Sequence, residues 1–141
     1  MKKSLLRKLS ILAVSSLLII SCEPEPGPDY ELRDEYIGTW VCNESSSLYG
    51  NSTYEVHITK AIEGIEFINI ANFYNEGDTC EVLVEVFENS LVLDQQTVQG
   101  NSAVFVFEGS GSSSTDFSSF SLNYTANDGA DTDDVNASFS R

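Results

Sequence analysis

Tyr36-Ile37-Gly38-Thr39-Trp40-Val41-Cys42 is the stretch whose reading decides the fold. Gly38, Trp40 and Cys42 share one parity, and Thr39 and Val41 share the other. A period of two is the signature of a strand with one face inward. The same rhythm continues outward from it. From Tyr36 to Arg141 no long stretch keeps apolar residues at helical spacing. Strand-like runs occupy 36–42, 53–60, 64–73, 79–88, 90–98, 102–109, 117–126 and 135–140, bounded by Gly, Asn, Asp and Ser clusters. Their spacing averages about thirteen residues, close to that of an all-β sandwich or barrel.

Inside these runs the inward residues are Tyr54, Val56 and Ile58; Cys80, Val82, Val84 and Val86; Phe120, Leu122 and Tyr124; and Val135, Ala137 and Phe139. Polar residues such as Glu55, His57, Glu81, Glu85, Asn123 and Asn136 take the other parity, giving sheets with one dry and one wet face. Two runs, Ile65 to Ile70 and Val104 to Phe107, are apolar on both faces, so the tether, a loop or a partner is expected to cover the second. Glu63-Gly64, Asn75-Glu76-Gly77-Asp78, Glu88-Asn89-Ser90 and Gly100-Asn101 supply hairpin turns. Polar loops are expected at Asn43–Ser52 and Asn127–Asp134, and a flexible Ser/Gly link at Gly109–Asp116. The predicted fold is an all-β, eight-stranded antiparallel meander barrel, with a β-sandwich as the alternative.

The Gly38-Thr39-Trp40 motif on a first strand, followed by seven more meander strands, resembles the lipocalin-like (calycin) family. That resemblance implies a Trp packed across the closed bottom of the barrel, with a basic residue near the end of the last strand lying over it. Gly38, Trp40 and Arg141 are then the barrel-closing residues. The family's Thr-Asp-Tyr turn is missing, and Asn123-Tyr124-Thr125 does not replace it. A barrel of this size can hold one small ligand near the mouth opposite Trp40. The expected cavity lining is Tyr54, Val84, Phe120 and Tyr124, with the rim around Cys42. Inward aromatics could instead fill the interior.

Residues 1–21 read as an export leader. Lys2, Lys3, Arg7 and Lys8 form a basic region, and Leu9 to Ile20 is an apolar stretch too short for a spanning helix of ~20 residues. Ile19-Ile20-Ser21-Cys22 resembles the lipobox of bacterial lipoproteins. The resemblance implies cleavage before Cys22, acylation of that cysteine with palmitate-type chains, and an outer-membrane location on the periplasmic or cell-surface leaflet. Residues 22–35 then form an acidic tether holding all three prolines, and 36–141 the β domain. The tether loosely resembles the surface-export signal of Bacteroidetes lipoproteins. The mature chain is similar to small lipoproteins of that group of unassigned function.

The whole chain carries 7 basic and 22 acidic residues, a formal net charge of −15. Four basic residues lie in the leader, so three remain against 22 acids and the mature charge is −19. Nucleic acid and anionic bilayer surfaces would repel such a body.

Cys42 and Cys80 remain as an even pair in an oxidising setting. They read either as a disulfide, contributing about 3–4 kcal/mol across its loop, or as two buried thiols. One His and two free Cys are too few for structural zinc. The same scarcity removes a Ser-His-Asp triad, with His57 expected on an exposed strand face. Glu81 and Glu85 lie four residues apart on one outward face, in a domain too small for a glycosidase cleft. No enzyme activity and no resident cofactor are expected. Asp128, Asp131, Asp133 and Asp134 are the candidate ligands for calcium, which takes six to eight oxygens. The chain reads as a lipid-anchored module for a small ligand. The alternative is a surface protein-interaction lipoprotein, docking a protein partner through Val104–Phe107 or its acidic loops.

Overall fold

The inward alternation that starts at Gly38 does not stop at Cys42. In the computed structural model, which describes residues 30–141, β1 (Gly38–Ser46) carries Trp40, Cys42, Glu44 and Ser46 inward. It turns tightly into β2 (Gly50–Lys60), so most of the loop expected over 43–52 is strand. There follow β3 (Phe67–Ala71), β4 (Val82–Phe87), β5 (Ser90–Gln99), β6 (Val104–Ser113), β7 (Ser119–Asn127) and β8 (Thr132–Ser140). Each pairs antiparallel with the next, and β8 returns to β1 along Val41↔Ser140 to Ser46↔Val135. The result is a closed eight-stranded meander barrel of lipocalin-like architecture rather than an open sandwich. The leader, Cys22 and the tether up to Asp29 lie outside the described residues.

Closure depends on two glycines whose role is the reverse of the flexible link expected at Gly109–Asp116. Gly109 and Gly111 sit inside β6, opposite Tyr124 and Leu122 of β7. A Cβ on Gly111 would overlap the Ser121 carbonyl, and one on Gly109 would overlap the Asn123 carbonyl. Their bareness lets the two strands close up and leaves the interior to Leu122 and Tyr124. On the other flank of β6, β5 carries a bulge between Leu93 and Gln96. There the β4–β5 ladder lapses, and the Gln96 amide both donates to and accepts from the Leu83 backbone at 2.8 Å. A side chain thus continues the sheet where the main chain bends away.

One end of the barrel is sealed and the other is an open mouth. At the sealed end a 3-10 turn, Leu32–Tyr36, packs beneath the barrel, with Tyr36 and Trp40 buried. The Trp40 indole donates to the Tyr36 carbonyl at 2.7 Å. The Arg141 guanidinium lies 4.4 Å over the Trp40 ring and donates to the Glu35 and Ile37 carbonyls. Phe120 stacks on Phe139 and meets Trp40 edge-on. Arg33, also buried, bonds the carbonyls of Ala61 and Gly64 and pairs with Glu31. These ties place residues 31–35 on the folded body, so it begins earlier than the expected boundary at Tyr36.

Of the two readings of the cysteine pair, the structure has the buried thiols and not the disulfide. Cys42 and Cys80 are both buried and free. With β1 extended to Ser46, Cys42 sits mid-strand between Tyr54 and Phe139, whereas Cys80 precedes β4 and its carbonyl accepts from Phe73 N–H. Burial pushes both thiols up to about 12, so neither forms the nucleophilic thiolate at neutral pH.

Candidate ligand-binding site at the barrel mouth

The middle of the barrel is filled. Val84, Leu93, Phe107 and Leu122 are completely buried side chains packed in one continuous core. Phe120 belongs to the sealed end, and Tyr54 and Tyr124 reach the mouth only through their hydroxyls. The cavity expected among Tyr54, Val84, Phe120 and Tyr124 is therefore corrected: side chains occupy that volume. The space that exists is a cavity of ≈ 490 Å³ at the mouth, into which none of the four opens. Its walls come from the extended end of β1, the beginnings of β2 and β6, and the rim segments that follow β1, β3, β5 and β7. Tyr49, Tyr74 and Phe105 form its aromatic side, and Glu44, Glu76 and Asp128 its acidic side.

Two inward carboxylates organise the mouth. Glu44 Oε2 accepts from the Tyr54 hydroxyl at 2.5 Å and the Tyr124 hydroxyl at 2.6 Å. Burial pushes its carboxyl up, the two tyrosine hydrogen bonds pull it down, and the raised direction prevails. Asp133 is fully buried on β8. It accepts from Ser46 Oγ at 2.5 Å, Tyr74 Oη at 2.6 Å, Ser47 Oγ at 2.8 Å and Leu48 N–H at 3.1 Å. Burial is the largest influence on Asp133 and acts upward. Its four donors together outweigh it and hold the carboxyl below the ordinary aspartate range.

The chain between β3 and β4 dips into the mouth as a 3-10 turn, Phe73–Asn75. Phe73 is buried against Phe107 and Tyr124. Asn72, Tyr74 and Asn75 all have φ near +57°, the left-handed region. For a bulky residue such as Tyr74 this conformation costs of order 1–3 kcal/mol and persists only where the surroundings over-determine it. The hydroxyl bond to Asp133 and the Asn72 bonds to Glu55 O and Gly77 N–H supply that determination. The strain presents the Tyr74 ring to the cavity.

The carboxylates of the acidic loop do not converge. Asp133 is engaged by the donors above, and Asp128 Oδ1 caps its own turn through Ala130 N–H and Asp131 N–H. Asp131 and Asp134 are exposed. Among the described residues no group of three or more His, Cys, Asp or Glu side chains converges on a common point. The calcium candidate set of Asp128, Asp131, Asp133 and Asp134 is corrected accordingly, because strand parity turns Asp133 inward and Asp134 outward. His57 is exposed beside Thr39.

The docking face expected at Val104–Phe107 is also altered. Phe105 and Phe107 point inward, and only Val104 and Val106 face out. The outer apolar residues gather instead on β3–β5, where Phe67, Leu83 and Val92 border a shallow depression of ≈ 200 Å³.

Glu44 was not among the residues singled out in the sequence, Asp133 was named there only as a calcium ligand, and Tyr74 was not named. Parity could have found the first two: Glu44 continues Trp40 and Cys42, and Asp133 continues Val135 backwards. No local signal marks Tyr74. No protein-family model matches the sequence, and no curated protein matches it.

Proposed function

We propose that the chain is a lipid-anchored cell-envelope module that binds a small ligand at the barrel mouth. The observation that carries this reading is the ≈ 490 Å³ mouth cavity, which falls within the ~300–1,000 Å³ of ligand pockets and combines aromatic and polar walls. The strained Tyr74 segment supports it, since such strain clusters at ligand clamps. The chain enters the barrel at the sealed end, where Tyr30 bonds Glu35. An anchor at Cys22 lies upstream of that end in the chain, and the mouth is the opposite end of the barrel. The alternative of a ligand-free docking surface loses the apolar run, because Phe105 and Phe107 are turned inward, and keeps only its acidic loops.

The neutral naphthalene probe prodan, small enough for this volume, tests the pocket. Its emission is expected to rise and shift to the blue with the wild-type chain. It should not do so with Ala103→Trp, in which the indole occupies the cavity. An unchanged spectrum with wild type counts against a binding pocket. The anchor is tested separately: Cys22→Ala is expected to abolish incorporation of labelled palmitate and to release the chain from the membrane fraction. Persistent labelling would remove Cys22 as the lipid site.

A further inference from the structure

Among the groups lining the mouth, Glu44 is the one whose position the ligand-binding reading alone leaves unexplained. It is 6% exposed, on the inward face of a strand, at the floor of a cavity with aromatic walls. A carboxylate so placed is costly unless each oxygen is satisfied. Both tyrosine hydroxyls converge on Oε2. Oε1 accepts no hydrogen bond among the described residues. Nor is it sealed away, since Tyr36 Oη is the one fully enclosed side-chain polar atom without a hydrogen-bond partner there. Half of this carboxylate is thus fixed by the protein, and the other half is left without a protein partner on a residue that lines the cavity.

The other acids of the lining differ. Glu76 gives one oxygen to Ser102 N–H and the other to Ser102 Oγ, and Asp128 Oδ1 is held within its own turn. No Lys, Arg or His lines the cavity. The Tyr74 and Phe105 rings, with centroids 5.4 Å apart, belong to the same lining as Glu44. A buried acceptor beside aromatic faces is complementary to a positively charged nitrogen carrying an apolar group.

Resting on the ligand-binding reading, we infer that the mouth selects small organic cations, with a protonated amine seated on Glu44 Oε1 and its apolar portion against Tyr74 and Phe105. Glu76 and Asp128 reinforce this selection by the field they set at the rim. An anionic ligand meets three carboxylates and no compensating base, so it is rejected.

Three ligands of nearly equal size test this by calorimetric titration of the full chain: phenethylamine, 2-phenylethanol and 3-phenylpropanoate. The wild-type chain is expected to bind the amine at least tenfold more tightly than the alcohol and to bind the carboxylate weakest. In Glu44→Gln the amide oxygen still accepts from Tyr54 and Tyr124 while its NH2 faces the cavity. The amine's preference is expected to fall to within about twofold of the alcohol, with the melting transition still cooperative. Should Glu44→Gln fail to fold, Phe105→Leu serves in its place. It keeps the carboxylate and thins the aromatic wall, so the preference should survive but diminish. Equal affinity for amine and alcohol in the wild-type chain overturns cation selection and leaves the pocket standing. A preference that persists undiminished in Glu44→Gln removes Glu44 as the seat. Absence of binding by all three ligands overturns both the inference and the ligand-binding reading.

Discussion

Trp40→Ala is expected to lower the unfolding free energy by about 3–5 kcal/mol, the usual cost of emptying a buried tryptophan site. Trp40 is 1% exposed, and three kinds of contact meet on it: the Phe120 edge, the Tyr36 carbonyl and the Arg141 guanidinium. Neighbouring strands cannot collapse into the space, because the closed hydrogen-bonded ring fixes the diameter at that end. For a domain of this size the loss corresponds to a fall in melting temperature of roughly 15–25 °C. Urea denaturation followed by far-ultraviolet dichroism would measure it. Arg141→Lys keeps the charge, loses the planar stack and should cost only about 0.5–1 kcal/mol. If Trp40→Ala costs under about 1 kcal/mol, this residue does not seal the barrel.

Asp133→Ala is expected to cost about 2–4 kcal/mol at neutral pH, for a different reason. The side chain is small, and what is lost is the acceptor for Ser46, Ser47, Tyr74 and Leu48 N–H at once. Tyr74 then loses the bond that holds it in a left-handed conformation, so the mouth loosens together with the fold. The effect has a defined pH dependence. The folded-state pKa of Asp133 lies below its ordinary value of 3.8, so its stabilisation is fully present above that value. It is lost as pH falls through the folded pKa, and the gap between wild type and Asp133→Ala should narrow in acid. Glu44 acts in the opposite sense. Its pKa is raised above 4.5 by burial, so its neutral form is the one folding favours, and that contribution fades as pH rises through the folded value. Thermal melts of wild type and Asp133→Ala from acid to neutral pH would check the sign. A difference that stays constant in acid would show that the carboxylate charge is not what holds the segment.

Strand parity was legible in the sequence. The runs around Val56, Val82 and Leu122 kept their parity in the barrel, and Gly38-Thr39-Trp40 marked the sealed end. Strand ends were less legible. Glu44 and Asp133 are polar residues in strand continuations, where local chemistry suggests a loop and only partner strands supply the reason to stay extended. Gly109 and Gly111 look like a flexible link because glycine carries no information about its neighbours. What requires them bare is the approach of β7, whose blocking carbonyls lie ten or more residues away in sequence.

The sequence by itself determined which face each residue takes, since a period of two is a local property of the extended chain. Which side chains meet across the interior was decided by closure and by the stagger of strands around the ring. That tertiary geometry filled the middle with Val84, Phe107 and Leu122, and separated Cys42 from Cys80. It also brought Glu44, Tyr54 and Tyr124, from three strands, together at the floor of the mouth. Volume and hydrogen-bond convergence depend on several distant segments at once, and no single window of sequence contains them.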